Sequence, residues 1–210
     1  DTTAIGNFPK RLKPISFRPS LTQKSGAINY DEIYELLNQL NLYIYTPSDF
    51  VFDSRKEKYE KIYGSDMGNA FFRQSDREKG IRRLININLL KRLESSVHSF
   101  RLTVEKIKKQ IDETIDIIEV NANKRAVEVD AFVDTNDLEI DDQNTDLLVG
   151  KKVQISLHDM DTLSWSVSLK QDSDVLNTLL FFVNDITPEH DHKLQTLLSH
   201  VNYKIANPIN

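Results

Sequence analysis

Apolar residues in the middle of the chain repeat with the spacing of a packed helix. The repeating residues are Leu93, Val97, Phe100, Val104, Ile107 and Ile111. Their alternating steps of four and three form a heptad seam, which is typical of a helix that packs lengthwise on partner helices. Ser75-Asp76-Arg77-Glu78 has the form of a capping box and predicts the helix start at Ser75. We therefore predict one long basic helix over 75–119, about 65 Å long if continuous.

A second helical stripe follows nearer the end of the chain. It consists of Leu163, Val167, Leu176, Leu180, Val183 and Ile186, with Trp165 near its start. We predict that the helix carrying this stripe packs antiparallel on the 93–111 seam. Thr187 and Pro188 predict the start of a last helix, since threonine caps helices and proline favours their first position. The apolar residues of that last helix are Leu194, Leu197, Leu198, Val201 and Ile205.

Shorter elements are predicted before the long helix and after it. One helix begins at Asn29 or Asp31 and runs to Leu40, and a second covers 48–63, with a loop over 64–69. Alternation of apolar and polar residues predicts short strands at 15–17 and 127–133. Tyr59 and Tyr63, interleaved with basic residues, suit either an aromatic core face or a base-stacking surface.

Together these patterns predict a mainly α fold. Its centre is an elongated antiparallel helix pair, with shorter helices packed at the base and a minor β element. The segments are an extended basic lead-in over 1–27, a helical region over 28–120, an acidic insertion over 121–152 and returning helices over 153–210. The chain begins without methionine and ends in a polar stretch, so we expect one domain cut from a longer polypeptide.

Charge is distributed unevenly along the chain. The net charge of the 210 residues is -5. Residues 73–110, however, carry 11 Lys/Arg and 4 Asp/Glu, a net charge of +7, and residues 111–150 carry 2 and 12, a net charge of -10. The whole-chain charge argues against a nucleic-acid partner, but the basic segment is compatible with one.

The amino-acid composition also indicates the cellular compartment. The sequence has no cysteine, which fits a reducing environment. No apolar run approaches the roughly 20 residues that span a bilayer, and the N-terminus lacks the regions of a signal peptide. We therefore expect a cytoplasmic protein without a membrane partner.

Candidate catalytic and metal-binding groups are few. His158-Asp159, followed by Asp161, is similar to the metal-binding pair of helical phosphohydrolases, but such enzymes need further upstream histidines and only His98 is present. The sequence has no phosphate-binding loop, no dinucleotide fingerprint and no zinc pattern. We predict no catalytic residue, no metal and no cofactor in this segment.

Three stretches carry a resemblance to a known family. Asn88 to Ser96, followed by Phe100-Arg101, resembles a segment of bacterial superfamily-2 helicases of the Swi/Snf-like type, located between their two motor lobes. Phe8-Pro9-Lys10-Arg11 with 15–17 resembles the strand and basic run after the first lobe. Residues 191–198 resemble the helix before the first strand motif of the second lobe. Residues 121–150 have no counterpart in this comparison.

The resemblance implies an accessory region between the motor lobes of a DNA-dependent ATPase. Its partners would be DNA and the flanking lobes of the same chain, and the ATP and magnesium of the parent protein would bind outside this segment. The candidate contacts to phosphate or to a lobe are Arg82, Arg83, Lys91, Arg92 and Arg101. Two alternatives stay open: a coiled-coil interaction or scaffold domain, and a helical metal phosphohydrolase.

Overall fold

The structure is a computed structural model of the chain. It describes residues 13–14, 16, 18–67, 70–122, 130–133 and 153–207. In these residues the fold is mainly helical, as predicted, with only small strand elements.

Six α-helices and four short strands follow one another along the described part of the chain. The helices are α1 (Tyr30–Gln39), α2 (Asp53–Tyr63), α3 (Gln74–Ser95), α4 (Val97–Ala122), α5 (Thr162–Asn184) and α6 (His192–Ala206). The strands are β1 (Ser65–Met67), β2 (Ala70–Phe72), β3 (Asp130–Val133) and β4 (Val153–Ser156). Three 3-10 turns, Tyr43–Tyr45, Pro47–Phe50 and Leu157–Asp159, connect them.

The start of α1 agrees with the sequence. Asn29 accepts a hydrogen bond from the backbone of Glu32, whose carboxylate accepts one from the backbone of Asn29. This reciprocal capping box places the helix start at Asn29, one of the two starts that the sequence predicts.

The predicted starts of two other helices are wrong. The helix expected from 48 begins at Asp53, because Pro47–Phe50 forms a separate 3-10 turn. The last helix begins at His192, where Asp191 accepts a hydrogen bond from the backbone of Leu194. Asp191 thus supplies the cap that Thr187 was expected to supply.

The predicted continuous helix over 75–119 is interrupted at Ser96. The backbone of Ser96 is extended, with φ -158° and ψ 126°. Its N–H still donates to Arg92, and its Oγ and carbonyl oxygen accept from Ser99 and Phe100 at 3.3 Å and 3.0 Å. One residue therefore ends α3 and caps the start of α4.

The chain folds back at this corner. Glu78 of α3 accepts a hydrogen bond from the hydroxyl of Ser48, and Gln110 of α4 accepts one from the hydroxyl of Tyr45. In a continuous helix, residues 78 and 110 would lie about 48 Å apart. Both instead reach the same short segment, so α3 and α4 form a helical hairpin.

The predicted antiparallel helix pair is confirmed. Lys170 of α5 contacts Glu119 of α4 at 2.8 Å, and Ser173 donates to Asp112 at 2.8 Å. The numbering rises on α5 as it falls on α4, so the two helices run in opposite directions. The six seam residues from Leu93 to Ile111 are all buried in the core that α3, α4 and α5 share.

The predicted stripe on α5 is only partly right. Leu176, Val183 and Ile186 are buried, but Leu163 and Val167 are 79% and 58% exposed. The buried row of α5 consists of Trp165, Leu169, Asp172, Leu176, Leu179 and Val183, and Ile186 continues it just after the helix ends. They follow a strict four–three spacing in which the carboxylate of Asp172 occupies one core position. Because this residue is polar, the apolar pattern alone does not predict the correct register.

The strands form two small antiparallel ladders. β1 pairs with β2, where the sequence predicted a loop over 64–69. β3 pairs with β4, and β3 lies inside the strand predicted at 127–133. Ile15 and Phe17, which define the other predicted strand, lie outside the described residues, as does most of the acidic insertion.

Helix α6 is joined to the bundle at its first turn. Asp191 pairs with Thr22 in an isolated β-bridge, His192 contacts Ser20 at 2.7 Å, and Lys193 donates to the carbonyl of Glu94. None of the residues of α6 is buried. Among the helices that the structure describes, none is long and apolar enough to cross a membrane.

Candidate nucleic-acid interface

The five basic residues predicted as contacts lie on two helices. Arg82, Arg83, Lys91 and Arg92 belong to α3, and Arg101 belongs to α4 beyond the corner at Ser96. Arg83 and Lys91 are exposed, whereas the other three are half-buried. The structure therefore divides the set into outer residues and residues close to the core.

The outer face of α3 is opposite the buried row of the helix. That row consists of Gln74, Glu78, Ile81, Ile85, Leu89 and Leu93. Arg83 projects from the other side, and Lys79, also exposed, precedes it by one turn. Lys79 was not among the predicted contacts, although its four-residue spacing from Arg83 is visible in the sequence.

Two of the three half-buried arginines lie near groups of the protein itself. Burial raises the pKa of Asp172, and the charge of nearby Arg82 is one of the smaller effects that oppose this rise. Arg101 contacts the ring of His98 at 3.0 Å. Arg82 and Arg101 thus each lie near a group of the protein itself.

Asp172 binds the turn that follows α1. Its two carboxylate oxygens accept hydrogen bonds from the backbone N–H groups of Asn41 at 2.8 Å and Tyr43 at 2.7 Å. Between them, Leu42 adopts a left-handed conformation with φ 55°, which is uncommon for a residue other than glycine. Burial raises the pKa of Asp172, and the backbone hydrogen bonds partly offset this increase.

The N-terminus of α3 adjoins a pocket of about 240 Å³. Glu60 of α2 lines the pocket and accepts hydrogen bonds from the backbone N–H groups of Gln74 at 2.7 Å and Ser75 at 3.4 Å. The expected capping box between Ser75 and Glu78 is therefore wrong. The carboxylate that caps this helix comes from another helix, and Glu78 points inward.

Asp159 is the centre of a second polar cluster. It accepts hydrogen bonds from Lys58 at 2.9 Å and from the hydroxyl of Tyr59 at 2.7 Å, and Arg55 lies 3.3 Å away. The hydrogen bonds from Lys58 and Tyr59 lower the pKa of this carboxyl. These contacts connect α2 to the 3-10 turn Leu157–Asp159 that follows β4.

This arrangement bears on the phosphohydrolase alternative. Asp159 is surrounded by cationic and hydroxyl donors, which is the environment of a structural ion pair rather than of a metal ligand. His158 beside it is exposed. Within the described ranges, no three His, Asp or Glu side chains are grouped so that they could hold a metal ion.

The aromatic residues of α2 do not form an open stacking platform. Tyr59 is buried, and its ring is parallel to that of Tyr63 with the centroids 6.5 Å apart. Of the two interpretations of Tyr59 and Tyr63, an aromatic core face or a base-stacking surface, this packing supports the core face.

In comparisons with known proteins, no family model, no curated protein and no solved structure matches this chain.

Proposed function

We propose that the chain is a non-catalytic helical module that works within a DNA-dependent ATPase of the Swi/Snf-like helicase type. In this proposal the module spaces the motor lobes and contacts DNA through the outer face of α3. ATP and magnesium would bind to the motor lobes of the parent protein. The resemblance of residues 88–101 to the inter-lobe segment of those enzymes suggests this role.

The observation that carries the DNA-contact part is the outer face of α3. Lys79, Arg83 and Lys91 are exposed along this 22-residue helix, on the side away from the core. Basic side chains along one helix face can neutralise successive phosphates of a nucleic-acid backbone. Ile87, exposed between Arg83 and Lys91, adds an apolar group to the same surface.

The test is the salt dependence of DNA binding by a variant in which Lys79, Arg83 and Lys91 are replaced by alanine. Fluorescence anisotropy with duplex and single-stranded DNA across a salt series gives the binding constant and its slope. The binding constant falls as the salt concentration rises, so the slope of log K against log salt concentration is negative. If all three residues contact phosphates of duplex DNA, the magnitude of this slope decreases by about 3 in the variant.

The matched control replaces Lys61, Lys109 and Lys204, which are exposed elsewhere, and removes the same charge. Circular dichroism shows whether both variants keep their helices. Equal weakening by the two variants would mean that only overall charge matters, and unchanged binding by the α3 variant would refute the DNA contact.

A second candidate function is self-association as an interaction module. The 93–111 seam, which the sequence offered for this role, is buried within the chain and is not available. Helix α6 instead has exposed apolar residues, with Leu198, Val201 and Ile205 at 45%, 45% and 73% exposure. With Leu194 they are spaced four, three and four residues apart, as in a short coiled-coil seam.

Sedimentation over a range of protein concentrations distinguishes the two candidates. Self-association through α6 predicts a concentration-dependent dimer that Leu198→Ser and Val201→Ser abolish together. A monomer at every concentration would leave the DNA-motor role as the better proposal.

A further inference from the structure

A carboxylate is buried where α3 meets the 3-10 turn Pro47–Phe50. Glu78 is 4% exposed. It accepts hydrogen bonds from the backbone N–H of Ser48 at 3.0 Å, the hydroxyl of Ser48 at 2.7 Å and the side-chain amide of Gln74 at 3.1 Å. All three donors are uncharged. Because an ionised carboxylate is costly to bury without a cationic partner, this site favours the protonated form.

The charges around Glu78 do not reverse this preference. The charged residues that line the adjoining pocket are Asp49, Lys56, Glu60, Arg73 and Lys79. Asp49, on the same turn as Ser48, is the charged group that shifts the pKa of Glu78, and it raises it. Burial is the larger cause, and together they raise the pKa of Glu78 to about 7 despite the three hydrogen bonds.

The turn that Glu78 holds also contacts the start of α5. Phe50 lies in this turn, its ring centroid is 6.3 Å from that of Trp165, and its carbonyl oxygen accepts a hydrogen bond from Asp161. The contact between Glu78 and Ser48 therefore connects the beginning of α3 to the beginning of α5. The same short turn thus contacts both long helices.

We propose that Glu78 is a proton-controlled latch between α3 and this turn. When Glu78 carries a proton, one oxygen can donate to the hydroxyl of Ser48 while the other accepts from the backbone N–H of Ser48. When the proton is lost near neutral pH, a negative charge remains among uncharged donors. The turn then separates from α3, and water enters through the adjoining pocket to solvate the carboxylate.

The test uses the full chain and follows two observables with pH. Carbon-13 NMR of the Glu78 carboxyl gives its titration, and hydrogen exchange of the Ser48 amide reports opening of the turn. We expect a titration midpoint near neutral pH. Protection of Ser48, corrected for the intrinsic exchange rate, should fall by about tenfold between pH 6 and pH 8.

Two variants separate the latch from a general effect of pH. Glu78→Gln keeps the shape of the side chain without the charge, so Ser48 should stay protected at both pH values. Glu60→Gln removes a carboxylate that lines the same pocket and should leave the pH dependence in place.

Titration of Glu78 below pH 5, pH-independent protection of Ser48, or pH dependence that persists in Glu78→Gln would each overturn the proposal. If Glu78→Gln does not fold, the titration and the exchange of the unaltered chain decide the matter between them.

Discussion

Asp172 and Tyr43 form a 2.7 Å hydrogen bond between the middle of α5 and the turn that follows α1. Asp172 occupies a position of the α5 core face where an apolar residue is expected, and it is 1% exposed. The interior of the bundle thus contains a carboxylate whose ligands are backbone N–H groups of its own chain. This relationship fixes the left-handed residue Leu42 and the direction in which the chain leaves α1.

Replacement of Asp172 by alanine should destabilise the protein strongly. At least two part-buried backbone N–H groups would lose their acceptors, at about 1–3 kcal/mol each, so we expect a loss of about 2–5 kcal/mol. Urea unfolding followed by circular dichroism measures the free energy of unfolding. Asp174→Ala, two residues away and exposed, is the control and should change it by less than about 0.5 kcal/mol. Equal effects of the two variants would contradict the role assigned to Asp172.

Ser96→Ala tests the corner between α3 and α4 by the sign of its effect. At a helix start, loss of the capping oxygen costs about 1 kcal/mol. In a continuous helix the same change would stabilise slightly, because alanine has the higher helix propensity. We expect destabilisation in thermal or urea unfolding, whereas Ser95→Ala, in the last turn of α3, should be near neutral. A stabilising Ser96→Ala would favour the continuous helix.

The register of α5 can be tested with two leucines. Leu176 is fully buried, so Leu176→Ala should cost about 2–5 kcal/mol through lost burial and the cavity left behind. Leu163 is 79% exposed, and Leu163→Ala should stay within about 0.5 kcal/mol of the unaltered chain. Chemical unfolding of both variants under one set of conditions provides the comparison. Similar losses for the two would restore the register predicted from sequence.

Asp159 should make the protein sensitive to acid. Its pKa is lower in the folded chain than in the unfolded chain, so the unfolded state binds the proton more readily. The stability that Asp159 contributes is present above the unfolded pKa and is lost as the pH falls through the folded pKa. Asp159→Asn should therefore be less stable than the unaltered chain at pH 6 and lose less stability between pH 6 and pH 3. Parallel pH profiles for the two proteins would show that this carboxyl does not contribute.

The sequence predicts the elements that depend on local patterns. The helix start at Asn29 and the seam from Leu93 to Ile111 involve residues within a few turns of one another, so local patterns are enough to find them. Ser75 and Glu78 have the spacing of a capping box, but Glu78 instead accepts hydrogen bonds from Ser48 and Gln74. A contact across 30 residues overrides the local preference, and spacing alone does not reveal it.

The candidate interface likewise combines features that the sequence predicts with features that only the packing reveals. The basic character of α3 is visible in the sequence, and with it the exposed pair Arg83 and Lys91. Arg82 differs from Arg83 by one position on the helix, but it lies near Asp172, and only the packing of α5 on the bundle shows this. The predicted register of α5 is wrong for a similar reason, because buried Asp172 interrupts the row of apolar residues that would mark the core face.

The ladder between β3 and β4 has a consequence for the segment that it encloses. Val133 and Val153 are directly paired, so the chain leaves and re-enters the folded body at neighbouring points. The entropic cost of bringing two chain ends together grows only slowly with the number of residues between them. A shorter segment, a longer one or a whole inserted domain should therefore be tolerated between Val133 and Val153 with the pairing of β3 and β4 intact.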